Sequence, residues 1–207
     1  MEENCIDLFM GIFKNEPSLI KLYLEYALEL LFIYDKHLIV ENLHERTIAH
    51  RLAIYLETLF GFCFNVDCEY NGNKDHATGR KKIWVIEDLK RKAFDKLKCL
   101  MMYHQNLKEE VLEFLQEVNV YPDIIIHKRG NNNYNLLVIE IKKMNSDYDD
   151  IIYDYYKLQQ FTNQNGEFQY AYGVFIEFYT GRKAYKKPLL KWFKDGKEDD
   201  ELNKENI

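Results

Sequence analysis

The order of apolar and polar positions along the chain predicts alternating helices and strands. Residues 4–13 read as a short helix, and residues 16–36 as a longer one, with Pro17 suited to a first-turn position and Leu and Tyr recurring at helical spacing. A third helix is predicted over 41–60, with Ile48, Leu52, Leu56 and Leu59 on one stripe and Gly61 at its end. Residues 62–70 alternate and are rich in strand formers, whereas 71–79 have the composition of a loop. Charge spacing and a Leu/Val/Phe stripe between 87 and 118 predict one or two helices. Strands at 122–128 and 134–143, a helix at 147–163 and a strand at 170–179 follow. Residues 183–193 read as an edge strand or a helix, and 194–207 as an acidic, disordered tail. Helix, strand, helical insertion, two strands, helix and strand in this order predict an α/β sandwich with a mixed sheet.

The two strands at 122–128 and 134–143 flank Arg129-Gly-Asn-Asn-Asn-Tyr134, which is turn material, so they form a hairpin. With the turn centred near Asn131 and Asn132, Asp123 faces Glu140 and Lys142 points to the same side. One side of the hairpin is apolar through Ile124, Ile126, Leu137, Ile139 and Ile141. The charged side also carries Ile125, Leu136 and Val138, so both sides read as buried, as in central strands covered by helices. Two carboxylates in such a place repel each other and lose solvation. Lys142 supplies one compensating charge, and a divalent metal on oxygen ligands, Mg²⁺ or Mn²⁺ rather than zinc, would supply the rest. The alternative is an internal Asp/Glu/Lys salt-bridge cluster.

Composition narrows the setting. Across 207 residues, apolar types make up 47% and aromatics 15%, enough for a sizeable core. No run approaches the roughly 18–20 apolar residues of a membrane span, and the acidic start Met-Glu-Glu-Asn-Cys lacks the basic region of a signal peptide. The expectation is a soluble, cytoplasmic protein without a membrane partner. Cys5, Cys63, Cys68 and Cys99 match no zinc spacing and read as reduced, mostly buried thiols. The net charge of −6 argues against a wholly basic nucleic-acid coat, but residues 80–98 hold eight Lys/Arg against three Asp/Glu.

Pro122-Asp123 followed by Glu140-Ile141-Lys142 on one hairpin resembles the PD-(D/E)XK nuclease superfamily, the restriction-endonuclease-like fold. The resemblance covers roughly residues 42–179, with 72–120 as a helical insertion and 1–40 as an N-terminal helical extension of a core at 41–193. It implies a three-layer sandwich with a central mixed sheet flanked by helices. It also implies hydrolysis of phosphodiester bonds, with Asp123, Glu140 and Lys142 as the catalytic group. Asp123, Glu140 and the Ile141 carbonyl would hold Mg²⁺ or Mn²⁺. Family members commonly add a glutamate from the first core helix. Glu45 extends the buried stripe there, with Glu41 as the alternative, and the competing reading is a solvated residue that favours the helix dipole.

Lys157 and Gln160, on the helix after the motif, are the candidates for reaching a substrate phosphate; Lys157 could equally pair with Asp154 within the helix. Arg80, Lys81 and Lys82 open a basic segment that could track a nucleic-acid backbone or be a solvated face. Asp67 and Glu69 share one side of their predicted strand as outer-shell groups, a rival metal pair or a solvated face, and His127 reads as a core or rim histidine. The expected function is a metal-dependent nuclease, DNA more than RNA, in prokaryotic or viral defence, repair or mobile-element biology. The competing readings are a non-catalytic nucleic-acid- or protein-binding module on the same fold, and a small acidic DNA mimic. One site per chain means that double-strand cleavage needs a homodimer, a partner protein or two nicks.

Overall fold

Three helices lead the chain, and their apolar stripes bring them onto one face of a sheet. They are α1 (Glu2–Asn15), α2 (Pro17–Val40) and α3 (Glu45–Phe60). The computed structural model describes residues 2–73, 76–86, 115–182 and 186–204. Pro17 sits in the first turn of α2, where its missing N–H costs nothing. α2 continues past the expected end at 36, with non-helical torsions at Asp35. There the Asp35 carboxylate accepts from Arg51 Nε at 2.7 Å and from the Tyr55 hydroxyl at 2.5 Å, which ties the irregular turn to α3. α3 begins at Glu45 rather than 41, because the His44 ring accepts from the Arg46 amide and caps the helix there. Its buried residues are Ile48, Ala49, Leu52, Ala53, Leu56 and Phe60; Leu59 is only partly covered.

Six strands form the central sheet in the order β1, β4, β5, β6, β7, β8. They are β1 (Asn65–Cys68), β4 (Ile124–His127), β5 (Leu137–Lys143), β6 (Tyr172–Phe178), β7 (Leu189–Lys194) and β8 (Lys197–Glu198). Among the described residues only β5 and β6 run parallel, and α4 (Tyr148–Thr162) supplies the crossover that a parallel pair needs. Asp147 caps α4 by accepting from the Asp149 amide at 3.1 Å, and Asp149 and Asp150 favour the positive end of its dipole. The alternation of β4, β5 and β6 divides the core. Ile124, Ile126, Leu137, Ile139, Ile141, Val174 and Ile176 pack with the first three helices. Ile125, Val138 and Phe175 pack with Tyr156, Leu158 and Phe161 of α4. The architecture is therefore α/β, a mixed six-stranded sheet between helices on both faces. Leu136, expected beside Val138, joins the opposite cluster, because it precedes the regular part of β5.

Gly173 lies beneath α4, where a Cβ would come within 3.1 Å of Thr162 Cγ2 and 3.2 Å of Leu158 Cδ2. Its missing side chain lets the helix lie close on the sheet.

Several sequence expectations are corrected. The strand expected at 62–70 spans only Asn65–Cys68. Residues 115–119 are not helical: β3 (Leu115–Asn119) pairs antiparallel with β2 (Lys82–Ile86) as a separate two-stranded sheet. The rest of the expected helical insertion, 87–114, lies outside the described residues. Residues 189–194 resolve the strand-or-helix ambiguity as a strand, antiparallel to β6. The tail expected to be disordered instead carries β8 and a short helix, α5 (Asp200–Lys204). Leu202 is buried there and Asn203 Oδ1 accepts from the Trp192 amide at 2.8 Å; one apolar anchor among acids suffices to dock a segment this short. Among the described residues no helix is long and apolar enough to cross a membrane.

Candidate functional site

The hairpin register pairs Ile124 with Ile139 and Ile125 with Val138, so Asp123 falls opposite Glu140 at the end of β4. Backbone pairing is replaced there by a side-chain bond: Asp123 Oδ2 accepts from the Ile141 amide at 2.7 Å. Glu140 is 1% exposed. Its Oε2 lies 2.7 Å from Lys157 Nζ, whereas its Oε1 is buried with no hydrogen-bond partner among the described residues. Lys142, two residues along β5, places Nζ 2.6 Å from Asp154 Oδ2 and 3.7 Å from Glu45 Oε1. Lys157 Nζ also lies 2.7 Å from Asp154 Oδ1. A continuous chain of opposite charges results, running Glu45, Lys142, Asp154, Lys157, Glu140. Asp123 stands beside it.

Four carboxylates and two ammonium groups leave an excess of two negative charges when all are ionised. The protein resists that excess. Burial pushes the Asp123 carboxyl up to about 6, against the opposing pull of the Ile141 amide and the two lysines. Burial, reinforced by Asp154 and Asp123, raises Glu140 well above the usual carboxylate range. Burial works against the charge on both lysines, but the surrounding acids outweigh it and hold Lys142 and Lys157 above the ordinary lysine range. Among the described residues, no group of three or more His, Cys, Asp or Glu side chains is arranged to hold a metal ion. The chemistry of the donors nevertheless suits a hard divalent cation: all are oxygens, Glu140 Oε1 and Asp154 Oδ2 are buried without a hydrogen bond among the described residues, and the unbalanced charge of the named groups is two. A cleft of about 420 Å³ lined by His44, Glu45, Arg46, Glu69, Tyr121 and Asp123 reaches the Glu45 and Asp123 carboxylates, while Glu140 and Asp154 lie buried behind them.

The sequence-predicted residues divide into those gathered here and those held elsewhere. Glu45, Asp123, Glu140, Lys142 and Ile141 all belong to the cluster, and the Ile141 carbonyl accepts from Lys142 Nζ at 3.4 Å. Lys157 belongs to it too, but not as the outward phosphate contact expected from the sequence. Its side chain is 10% exposed and is consumed by Glu140 and Asp154. Gln160 lies one helical turn further along α4, half-buried.

The basic stripe at 80–82 is corrected. Arg80 is exposed, but Lys81 is 2% exposed, with its ammonium 4.8 Å from the centre of the Tyr70 ring and donating to the Gly72 carbonyl. Lys82 Nζ pairs with Glu117 Oε2 at 2.6 Å. Strand alternation in β2 turns adjacent lysines to opposite sides, so they form no single face. The bases beyond 86 lie outside the described residues.

Asp67 and Glu69 do not form a second acidic pair. Asp67 Oδ2 is bound by His127 Nε2 at 2.9 Å and by Arg129 Nε at 2.8 Å, and Glu69 pairs with Arg46 at 2.7 Å. His127 is buried, as a core histidine. The cysteines are less enclosed than expected: Cys5 and Cys63 are half-buried with their sulfurs 2.8 Å apart, and Cys68 is exposed. Cys99 lies outside the described residues.

The sequence predicts Asp154 only as the intrahelical partner of Lys157, a pairing present at 2.7 Å; its contact with Lys142 is not predicted. The signal in the sequence is the Asp-x-x-Lys spacing to Lys157, which on sequence alone is indistinguishable from a surface ion pair. Comparisons with protein-family models, with curated proteins and with solved structures return no match.

Proposed function

We propose that the chain is a metal-dependent nuclease of the PD-(D/E)XK type on a restriction-endonuclease-like core, with DNA favoured over RNA. The observation that carries the reading is the opposition of Asp123 and Glu140 on adjacent antiparallel strands, with Lys142 two residues on and Glu45 of α3 reaching the same lysine. The succession α3, β1, β4, β5, α4, β6 supports it, being the helix, three strands, helix and strand of that family's core.

Asp123, Glu140, Glu45 and the Ile141 carbonyl would hold Mg²⁺ or Mn²⁺. The cation supplies Lewis acidity toward the phosphodiester and a lowered pKa for water. The chain's own residues do the rest. Lys142 carries three N–H donors on one ammonium, held 2.6 Å from Asp154 Oδ2, and would offset negative charge developing on a phosphoryl group bound beside Asp123. Lys157 Nζ, 2.7 Å from Glu140 Oε2, opposes the burial that raises this carboxyl and so favours its ionised, cation-binding form. The cavity beside Glu45 and Asp123 gives the nucleic-acid backbone its approach.

The test is cleavage of single- and double-stranded DNA and RNA in Mg²⁺, Mn²⁺ or EDTA by the wild type and by Lys142→Ala. Cleavage that needs the metal and disappears in the variant is expected. Folded protein that cuts none of these substrates in either metal would overturn the proposal; retention of DNA without cutting would mark a binding module instead.

A further inference from the structure

The two ammonium groups of the site come from different elements, Lys142 from β5 and Lys157 from α4. A lysine head on a flexible four-carbon stem keeps a fixed position only where a partner holds it. One carboxylate does this for both: Asp154 is 2% exposed, with Oδ2 2.6 Å from Lys142 Nζ and Oδ1 2.7 Å from Lys157 Nζ. Each oxygen forms an ion pair with one lysine, so the geometry of a single carboxylate sets the spacing of two positive charges.

The two lysines do not depend on it equally. Lys157 keeps a second buried carboxylate, Glu140, at the same 2.7 Å. Among the described residues Lys142 has only weaker alternatives, Glu45 at 3.7 Å and the Ile141 carbonyl at 3.4 Å. We infer that Asp154 is a positioning residue, one that acts through Lys142 by fixing its ammonium between α4 and Glu45 of α3, two residues along β5 from Glu140. Helix α4 thereby serves the site with a lock for the strand lysine as well as with a charge of its own. The close seating of α4 over Gly173 keeps that lock in reach of β5.

The experiment uses the full chain as wild type, Asp154→Asn and Asp154→Glu, with two readouts. The first is trace acylation of lysines by acetic anhydride without metal or nucleic acid, read by peptide mass spectrometry. In the wild type, Lys142 is expected to react about tenfold more slowly than the exposed Lys187, as a buried charge-assisted contact implies. In Asp154→Asn the Lys142 rate is expected to rise by about tenfold and the Lys157 rate by less. The second readout is DNA cleavage in Mg²⁺, which rests on the nuclease reading. Asp154→Asn is expected to lower kcat with KM held within about twofold, and Asp154→Glu to recover part of the loss.

Wild-type Lys142 as reactive as Lys187, or a rate unmoved in Asp154→Asn, overturns the inference whatever the activity. The wild-type comparison decides this even if the Asn variant does not fold. Faster labelling with kcat undiminished also overturns it, because the lysine's position would then not serve the reaction. Slow wild-type labelling that rises in Asp154→Asn, in a protein whose wild type cuts nothing, would sink the nuclease reading and leave Asp154 as the residue that positions Lys142.

Discussion

Glu140 on a central strand and Lys157 on the helix that covers it meet at 2.7 Å, with 1% and 10% of their side chains exposed. An ion pair this enclosed is held together by the cost of separating it more than by its net contribution to stability. Removing Lys157 strands the Glu140 carboxyl without its cation in a dry site, whereas removing Glu140 leaves Lys157 with Asp154 alone.

Lys157→Met is therefore expected to destabilise the fold by about 3–5 kcal/mol, read from urea or guanidinium unfolding. The double variant Glu140→Gln/Lys157→Met should lose clearly less than the sum of the two single variants, because the second change removes the charge that the first one stranded. Additive losses would mean that the two groups do not interact.

Divalent cations are expected to raise the melting temperature of the wild type, by an amount that corresponds to about 2.7 kcal/mol at a hundredfold excess over Kd, and EDTA to reverse it. Asp123→Asn and Glu140→Gln should lose the effect. Asp123 adds a pH dependence with a definite sign. Its folded pKa of about 6 lies above the ordinary 3.8, so the metal-free folded chain keeps a proton between about pH 4 and 6 that the unfolded chain has lost. Its contribution to stability is full below that window and is lost as pH rises through 6. Stabilisation by the cation should grow over the same range, because binding requires the ionised carboxylate. Thermal melts from pH 4.5 to 7.5, with and without Mg²⁺, check both slopes.

Lys81 titrates in the other direction. Burial lowers its pKa to about 8 from the ordinary 10.5, so the folded chain releases this proton while the unfolded chain still holds it. The penalty for charging it is full at neutral pH, and stability is recovered as pH rises from about 8 toward 10.5. Lys81→Met should thus be more stable than the wild type at pH 7 by on the order of 1 kcal/mol, with the gap closing at higher pH. A variant less stable than the wild type at pH 7 would show that the ammonium's bond to the Gly72 carbonyl outweighs its desolvation.

The acidic C-terminal segment should behave as part of the fold. Leu202 is 5% exposed, and its carbonyl accepts from Lys21 Nζ at 3.2 Å. Leu202→Ala is expected to cost about 2–4 kcal/mol in chemical denaturation. An unchanged midpoint would mean that α5 does not dock.

Local rules made the hairpin legible. Strand period and turn composition around Asn131 put Asp123 opposite Glu140, and the pairing of Ile124 with Ile139 agrees with that register, although the turn itself carries a short 3-10 helix at Asn132–Tyr134. The same rules failed at residues 115–119, where the Leu/Val/Phe stripe was read with helical period although the segment pairs with Lys82–Ile86. Pairing partners distant in sequence override a local period of this weakness. At the tail, six acids among the last residues outweighed a single leucine in the sequence reading, yet that leucine is what packs.

The sequence by itself determined the α/β class, the central hairpin and the placing of Asp123, Glu140 and Lys142 on it, because a period of two and a turn lie within a few residues of one another; it did not show the β2–β3 pair. Tertiary structure alone decided that Asp154 and Lys157 complete the cluster, that Lys81 is buried and that Asp67 belongs to His127 and Arg129. The direction in which a helix presents a charged residue is set by how its apolar side seats on the sheet. For α4 that seating comes from Leu158 and Phe161 against Val138 and Phe175, and from the space that Gly173 leaves beneath it. No pattern within the helix could distinguish a solvated Asp-x-x-Lys from one turned into the core.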